Sequence, residues 1–260
     1  MVWSPGPNLK TSRSQASILS IGEGSSKVSR NRKLLFYNAL FLAFSFQMLL
    51  VTGGSGKSGG SLKSTEKLNV TSVQWESSFQ LPNPSYGHCA VEINSTTILI
   101  IGGGTSAVGS KKTKLIHITD GKAQNGPKLR QKRREHSCAI LHTDTSKYVI
   151  VSGGISADSV LKSTEFLDLT KTKLEWRPGP ALPIALTKSQ MLSDEATQSV
   201  YLIGGMSDTS NAMSTIWRLF DVDNNWIESK HRLSIPRAGH VALFLPPKLT
   251  QCYNGTTKKN

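Results

Sequence analysis

Histidine is the side chain in this sequence with the most obvious chemical use, because imidazole serves as a general base and as a metal ligand. His88, His136 and His240 recur at one position of a repeated pattern, and the last two close an Arg-x-x-His element. A catalytic or metal site needs different side chains that converge on one point. We therefore predict structural roles for all three histidines, with no catalytic residue and no metal ligand.

A second chemical candidate is the run Gly53-Gly54-Ser55-Gly56-Lys57-Ser58, which ends in Gly-Lys-Ser like a phosphate-binding loop. That motif requires a glycine five residues before the Gly-Lys pair and a helix directly afterwards. Val51 stands at the glycine position, and two glycines follow in place of a helix start. The sequence also has no paired carboxylates and no nucleophile motif, so we predict that the protein is not an enzyme and has no cofactor.

Charge and cysteine content limit the class of partner and the source of stability. The net charge of +14 favours an acidic protein, nucleic acid or an anionic membrane surface. The basic cluster within residues 128–134 lacks interleaved aromatic residues, which makes nucleic-acid binding less probable than protein binding. Cys89, Cys138 and Cys252 have no metal-ligand spacing and can form at most one disulfide.

The elements that must position these side chains are strands in a repeat of about fifty residues. The string Leu-Lys-Ser-Thr-Glu at residues 62–66 recurs at residues 161–165, and threonine holds the matching place as Thr65, Thr113, Thr164 and Thr215. Apolar runs that end in paired glycines close at intervals of 50, 50 and 51 residues, at Gly54, Gly104, Gly154 and Gly205.

Each unit reads as four short strands separated by polar turns. Trp75, Trp176 and Trp226 follow the glycine pair in three units, while the second unit has Asn125 in that region. A sheet with two apolar faces must be covered on both, so we expect the tryptophans to fill the gaps between neighbouring sheets. No apolar stripe at helical spacing persists within residues 48–247.

This order of features resembles the kelch repeat over residues 48–247, although the third unit has Ser189 where histidine is expected. The resemblance implies an all-β fold, a kelch-type β-propeller of about four blades, each a four-stranded antiparallel sheet. The sequence leaves three alternatives: a closed ring, an open arc and a partial ring. A copper-radical oxidase is the best-known enzymatic use of a kelch ring, and the sequence offers no matching set of tyrosine and histidine ligands.

Three segments lie outside the repeats. Residues 1–33 are rich in Ser, Gly, Lys and Arg, which predicts a disordered basic leader. The apolar segment 34–51 is either a signal or anchor sequence or the first-blade strands Ala39–Phe44 and Met48–Val51. If residues 39–44 do not form the inner strand of the first blade, we expect the C-terminal run His240–Phe244 to supply that strand. Residues 248–260 are expected to form a flexible tail.

Loops on a rigid scaffold are where binding residues concentrate, so the leading hypothesis is a non-catalytic protein–protein interaction module. It would bind another protein, acidic by charge complementarity, through inter-strand loops on one face. The alternative is a carbohydrate-binding or enzymatic propeller that uses its central cavity. The candidate binding residues are the cations of these loops: Lys57, Lys63, Lys111, Lys112, Arg130, Arg133, Arg134, Lys188 and Arg237.

Localisation rests on weaker signals. Glycosylation sequons at Asn69, Asn94 and Asn254 and the apolar segment 34–51 favour a secreted or membrane-anchored protein, with a cytoplasmic protein as the alternative. The basic cluster within residues 128–134 is either part of the binding face or a solvated loop. The sequence does not indicate an oligomeric state.

Overall fold

The computed structural model describes residues 9–21, 34–36, 39–41, 48–69 and 72–242. This part of the chain is all β, with twenty-four strands and no helix. A membrane-crossing helix is therefore not found among the described residues.

Sixteen strands form four antiparallel sheets, numbered 1–4 in chain order, in which successive strands are neighbours. Sheet 1 contains β2 (Ser17–Ile21), β5 (Met48–Thr52), β7 (Ser64–Asn69) and β8 (Gln74–Gln80). Sheet 2 contains β9 (Tyr86–Asn94), β10 (Thr97–Gly104), β11 (Thr113–His117) and β12 (Ala123–Asn125). Sheet 3 contains β13 (Ser137–His142), β14 (Lys147–Ser152), β17 (Thr164–Asp168) and β18 (Trp176–Gly179). Sheet 4 contains β20 (Gln190–Asp194), β21 (Ser199–Ile203), β23 (Ile216–Leu219) and β24 (Ile227–Glu228).

The remaining strands form four short pairs in the connections. They are β1 (Arg13–Ser14) with β6 (Ser55–Gly56), β3 (Leu34–Phe36) with β4 (Ala39–Phe41), β15 (Ile155–Ser156) with β16 (Ser159–Val160), and β19 (Leu186–Thr187) with β22 (Met206–Ser207).

The four sheets stack because their second strands are apolar on both faces. In β10, Ile98 and Ile100 pack against sheet 1, while Leu99 and Ile101 pack against sheet 3. Side chains alternate between the faces of a strand, so a continuous apolar run buries both faces at once. Extensive contacts accordingly join the first strands of consecutive sheets, whereas sheets 1 and 4 share no extensive contact among the described residues.

Trp176 and Trp226 lie between sheets, as predicted, whereas Trp75 packs against sheet 1 and the segment before it. Trp176 packs in a cluster shared by sheets 2 and 3, and its indole N–H donates to Pro127 O at 3.0 Å. Trp226 repeats this contact one sheet later, because its N–H donates to Pro180 O at 3.1 Å. The second unit lacks the tryptophan, and its counterpart in sheet 2 is Ala123, two residues before Asn125.

The register gives that assignment. Ile116 pairs with Ala123 in sheet 2, as Leu167 pairs with Trp176 in sheet 3. The register also corrects the repeated threonine: Ile216, not Thr215, lies opposite the last residue before the glycine pair of sheet 4.

The prediction that residues 1–33 form a structureless leader is wrong for residues 9–21. β2 pairs with β5 from Ser17 opposite Thr52 to Ile21 opposite Met48, and it supplies the first strand of sheet 1. Only three of the five residues of β2 are apolar, and the segments on either side are polar, so the sequence contains no clear strand signal there. Residues 1–8 and 22–33 lie outside the described residues, as does the predicted tail at 248–260.

The alternatives for the first strand are also corrected. Ala39–Phe41 pairs with Leu34–Phe36 and not with β5. The C-terminal run does not take the place either, because β2 already occupies that edge of β5, and residues 240–242 lie in no strand. Residues 243 and 244 are outside the described part of the chain.

One disulfide joins Cys89 of sheet 2 to Cys138 of sheet 3, with Cα atoms 6.0 Å apart. It covalently links the first strands of two neighbouring sheets. This agrees with the prediction of at most one pair, while Cys252 lies outside the described residues.

Candidate functional site: the loop face

Two kinds of loop meet at one end of the stacked sheets. The glycine loops join the second and third strands of each sheet, at residues 53–63, 102–112, 153–163 and 204–215. The inner loops lead into a first strand, at residues 9–16, 81–88, 129–136, 182–189 and 233–240. Backbone hydrogen bonds join each glycine loop to the inner loop that follows: Leu81 N to Lys63 O, Leu129 N to Lys111 O, Leu182 N to Lys162 O, and Leu233 N to Ser214 O. We call the combined surface the loop face.

A ladder of backbone hydrogen bonds connects the five inner loops. Gly87 N donates to Gln15 O at 3.0 Å, Glu135 N to Gly87 O at 2.7 Å, Lys188 N to Glu135 O at 2.9 Å, and Gly239 N to Lys188 O at 2.8 Å. All five residues have left-handed backbones, with φ between 51° and 65°. The same conformation at each step lets every inner loop bond to the one before it.

Beside the ladder, sheet 3 contains a buried ion pair. The Arg133 side chain is 0 % exposed, and its guanidinium donates to Glu165 Oε1 at 2.8 Å, Gly153 O at 2.7 Å and Ser163 Oγ at 3.1 Å. Glu165 also accepts two backbone N–H bonds from the same inner loop. Burial lowers the pKa of Arg133, and the charge of Glu165 opposes that shift.

Sheet 1 repeats this construction with Arg13 and Glu66. The Arg13 guanidinium bonds to Glu66, to Gly53 O at 2.9 Å and to Ser64 O at 2.9 Å. Sequence reasoning missed Arg13, although the spacing from Leu9 to Arg13 equals the spacing from Leu129 to Arg133. The two repeated Leu-Lys-Ser-Thr-Glu strings supply the two glutamates.

Sheets 2 and 4 replace the pair with other residues. Ser85 stands where Arg133 does, because Gly54 N donates to Ser85 O as Gly103 N donates to Arg133 O. By strand register, Lys114 of sheet 2 replaces Glu165. In sheet 4, Leu186 and Trp217 occupy the two positions, and both are buried.

The structure separates the predicted binding residues into three groups. Arg133 does not present its charge to a partner as predicted, because its side chain is buried and its two terminal nitrogens bond within sheet 3. Arg134 and Lys188 both approach Glu135, at 2.6 and 3.6 Å, so their charges are partly neutralised. The exposed candidates on the loop face are Lys57, Lys63, Lys111, Lys112, Arg130 and Arg237.

The repeated histidines occupy structural positions behind the loops. His88 is buried, and its Nε2 lies 2.9 Å from Thr52 Oγ1. Burial lowers the pKa of His88 to about 4 and holds the pKa of His136 well below its ordinary value of 6.5. Within the described ranges, no group of three or more His, Cys, Asp or Glu side chains could hold a metal ion.

Comparison with known proteins gives two weak similarities, and no family model matches the chain. Beta-scruin of Limulus polyphemus is 25% identical over 222 residues, which cover 82% of this chain and 24% of that protein. Alpha-scruin of Limulus polyphemus is 24% identical over 214 residues, or 77% and 22% of the two chains. The chain thus spans about a quarter of the length of these curated relatives. Scruins are kelch-repeat proteins, so both similarities agree with the kelch resemblance.

Replacement of Arg133 tests whether the buried ion pair is structural. Arg133→Met leaves the Glu165 charge buried without its partner, which we expect to lower the free energy of unfolding by about 3–5 kcal/mol in urea titrations. The matched control is Arg237→Met, at the same position of an exposed inner loop, with an expected change within about 0.5 kcal/mol. The double variant Arg133→Met/Glu165→Leu should regain much of the lost free energy of unfolding. Equal effects of Arg133→Met and Arg237→Met would contradict a structural role for the ion pair.

The buried histidines predict a pH dependence of stability. Because the folded-state pKa of His88 lies below 6.5, the fold favours the neutral imidazole. The contribution of His88 to the free energy of unfolding is therefore fully present above pH 6.5. That contribution, about 3 kcal/mol, is lost as the pH falls from 6.5 towards 4. Urea unfolding at pH 7 and pH 5 should show a smaller loss for His88→Asn than for the wild type. The exposed His231→Asn is the control, and an unchanged pH dependence in His88→Asn would refute the assignment.

Proposed function

We propose that this chain is a non-catalytic, kelch-type β-propeller module that binds another protein through its loop face. The observation that carries the proposal is the backbone ladder, which joins the five inner loops in a fixed arrangement from Gln15 to Gly239. Lys57, Lys63, Lys111 and Lys112 project from that surface without burial.

The four sheets are then four consecutive blades. Their strand order, their stacking through the second strand and the interleaved tryptophans all fit this assignment. Residues 233–242 begin a fifth position rather than returning to the first, because Gly239 extends the ladder beyond Lys188 while Gln15 stands at its other end. We therefore favour an open arc over a ring closed by four blades.

The partner is a protein with an acidic surface. The net charge of +14 and the exposed lysines of the loop face favour a negatively charged surface, and charge complementarity accelerates association. The weak similarity to the scruins supports a module that acts by binding and not by catalysis.

A charge-reversal experiment tests the face. The full chain is immobilised, and captured proteins are quantified by mass spectrometry for the wild type and for Lys63→Glu/Lys111→Glu/Lys112→Glu. Loss of long-range attraction should reduce specific capture at least about tenfold.

The matched control carries the same change in charge at the opposite end of the sheets, Lys122→Glu/Lys171→Glu/Lys173→Glu. These three lysines are exposed in the turns that join third and fourth strands. Equal loss of capture in both triple variants would count against a specific loop face.

We propose a secreted or membrane-anchored location. The Cys89–Cys138 disulfide supports it, because disulfides persist in oxidising compartments. The sequon residue Asn94 is exposed at the end of β9, next to the turn into β10, and is open to a glycosyltransferase. Asn69 ends β7 and is half-buried, and Asn254 lies outside the described residues.

Expression of the full chain in cultured animal cells tests the location. We expect a glycosidase-sensitive product whose electrophoretic shift is reduced by Asn94→Gln but not by Asn83→Gln, an asparagine outside any sequon. A cytosolic product that is insensitive to glycosidase would favour the cytoplasmic alternative.

A further inference from the structure

Sheet 2 has a cleft of about 380 Å³ between its inner loop and its glycine loop. Ser85, Gly102, Lys112 and Lys114 are among its lining residues. These are the counterparts of the groups that form the buried ion-pair site in sheet 3, where the Arg133 side chain fills the space. The cleft exists because a serine has replaced a long side chain.

The replacement also changes the charge of the site. Sheets 1 and 3 each hold one arginine and one glutamate there, whereas sheet 2 holds two lysines and no carboxylate. Lys114 Nζ bonds to the neutral Asn125 Oδ1 at 2.6 Å, and Lys112 is exposed. No ion pair between described residues includes either lysine.

The other groups of the cleft define what else a ligand must offer. The carbonyl of Gly102 corresponds to that of Gly153, which accepts a hydrogen bond from Arg133 in sheet 3. Leu81, Ile100 and Ile116 add apolar surface. A matching ligand therefore combines an anionic acceptor, an N–H donor and a short aliphatic part.

An acidic peptide segment meets all three requirements, since Asp and Glu carry a carboxylate on methylene groups beside a backbone N–H. Inorganic phosphate supplies only the anionic acceptor. We infer that the cleft of sheet 2 binds a carboxylate-bearing segment of a partner protein, with Lys112 and Lys114 on the carboxylate and Gly102 O on a backbone N–H. This inference rests on the proposed function of the loop face and locates one binding subsite within it.

The test restores to sheet 2 the pair found in sheets 1 and 3. The double variant Ser85→Arg/Lys114→Glu fills the cleft and reverses its key charge. The probe is the fluorescein-labelled peptide Gly-Asp-Glu-Asp-Gly, with Gly-Asn-Gln-Asn-Gly as its uncharged twin, and binding is followed by fluorescence anisotropy. We expect the acidic peptide to bind the wild type and to bind the double variant at least about tenfold more weakly. The uncharged twin should not bind.

Two further variants separate the cleft from general charge and from misfolding. Lys112→Gln/Lys114→Gln removes the two charges of the cleft lining without filling the cleft and should give the same loss. Lys162→Glu, an exposed lysine of the sheet 3 glycine loop, should bind the peptide like the wild type. The thermal midpoint of the Ser85→Arg/Lys114→Glu variant should not fall below that of the wild type.

Equal binding of the acidic peptide by the wild type and the double variant, or no binding by the wild type, overturns the inference. Displacement of the peptide by glutarate supports a carboxylate subsite, whereas displacement by inorganic phosphate and not by glutarate overturns it. If the acidic peptide does not bind as expected while the Lys63, Lys111 and Lys112 charge reversal still reduces protein capture, the inferred subsite is refuted and the proposed function stands. If both experiments fail, the proposed function fails too.

Discussion

The hydrogen-bonded ladder from Gln15 to Gly239 is the constraint on which the other features of the loop face depend. Each step requires a left-handed backbone at one position of every inner loop. Glycine adopts that conformation freely, and it is present at two of the five positions. Gln15, Glu135 and Lys188 adopt it at a cost of about 1 kcal/mol each, which the surrounding hydrogen bonds and sheet stacking must offset.

Because the ladder and the stacked second strands fix the backbone, the side chains beside them are free to vary between repeats. One position pair illustrates this: it is Arg with Glu in sheets 1 and 3, Leu with Trp in sheet 4, and Ser with Lys in sheet 2. The first two combinations fill the site with compensated charge or apolar volume. The third leaves an open, cationic cleft, which makes sheet 2 the part of the scaffold best suited to recognise an external group.

The repeat could be predicted from the sequence because its strongest signals are local. Paired glycines, the tryptophans and the apolar runs of β10, β14 and β21 locate the sheets and their stacking. β2 could not be found in this way, because its five residues lie within a polar segment and pair with β5 across 26 intervening residues. The spacing from Leu9 to Arg13 indicates an inner loop before β2, but only when it is compared with residues 129–133.

The sequence predicted the exposed residues of the candidate site but not the buried ones, because burial depends on contacts between distant parts of the chain. Exposed lysines such as Lys112 follow from loop position, whereas the burial of Arg133 depends on Glu165, thirty-two residues away in the chain. A basic cluster in sequence therefore divides in space into a buried structural cation and exposed ones. The cleft of sheet 2 can be recognised only when the repeats are aligned by strand register, because its lining residues form no sequence motif.

Amide hydrogen exchange measured by NMR tests the ladder most directly. If the inner loops are joined as described, the amide protons of Gly87, Glu135, Lys188 and Gly239 exchange slowly, at rates comparable to those of the central strands β10 and β14. Exchange of these four amides at the rate of exposed turn residues such as Asp144 and Thr145 would contradict a rigid, continuous loop face.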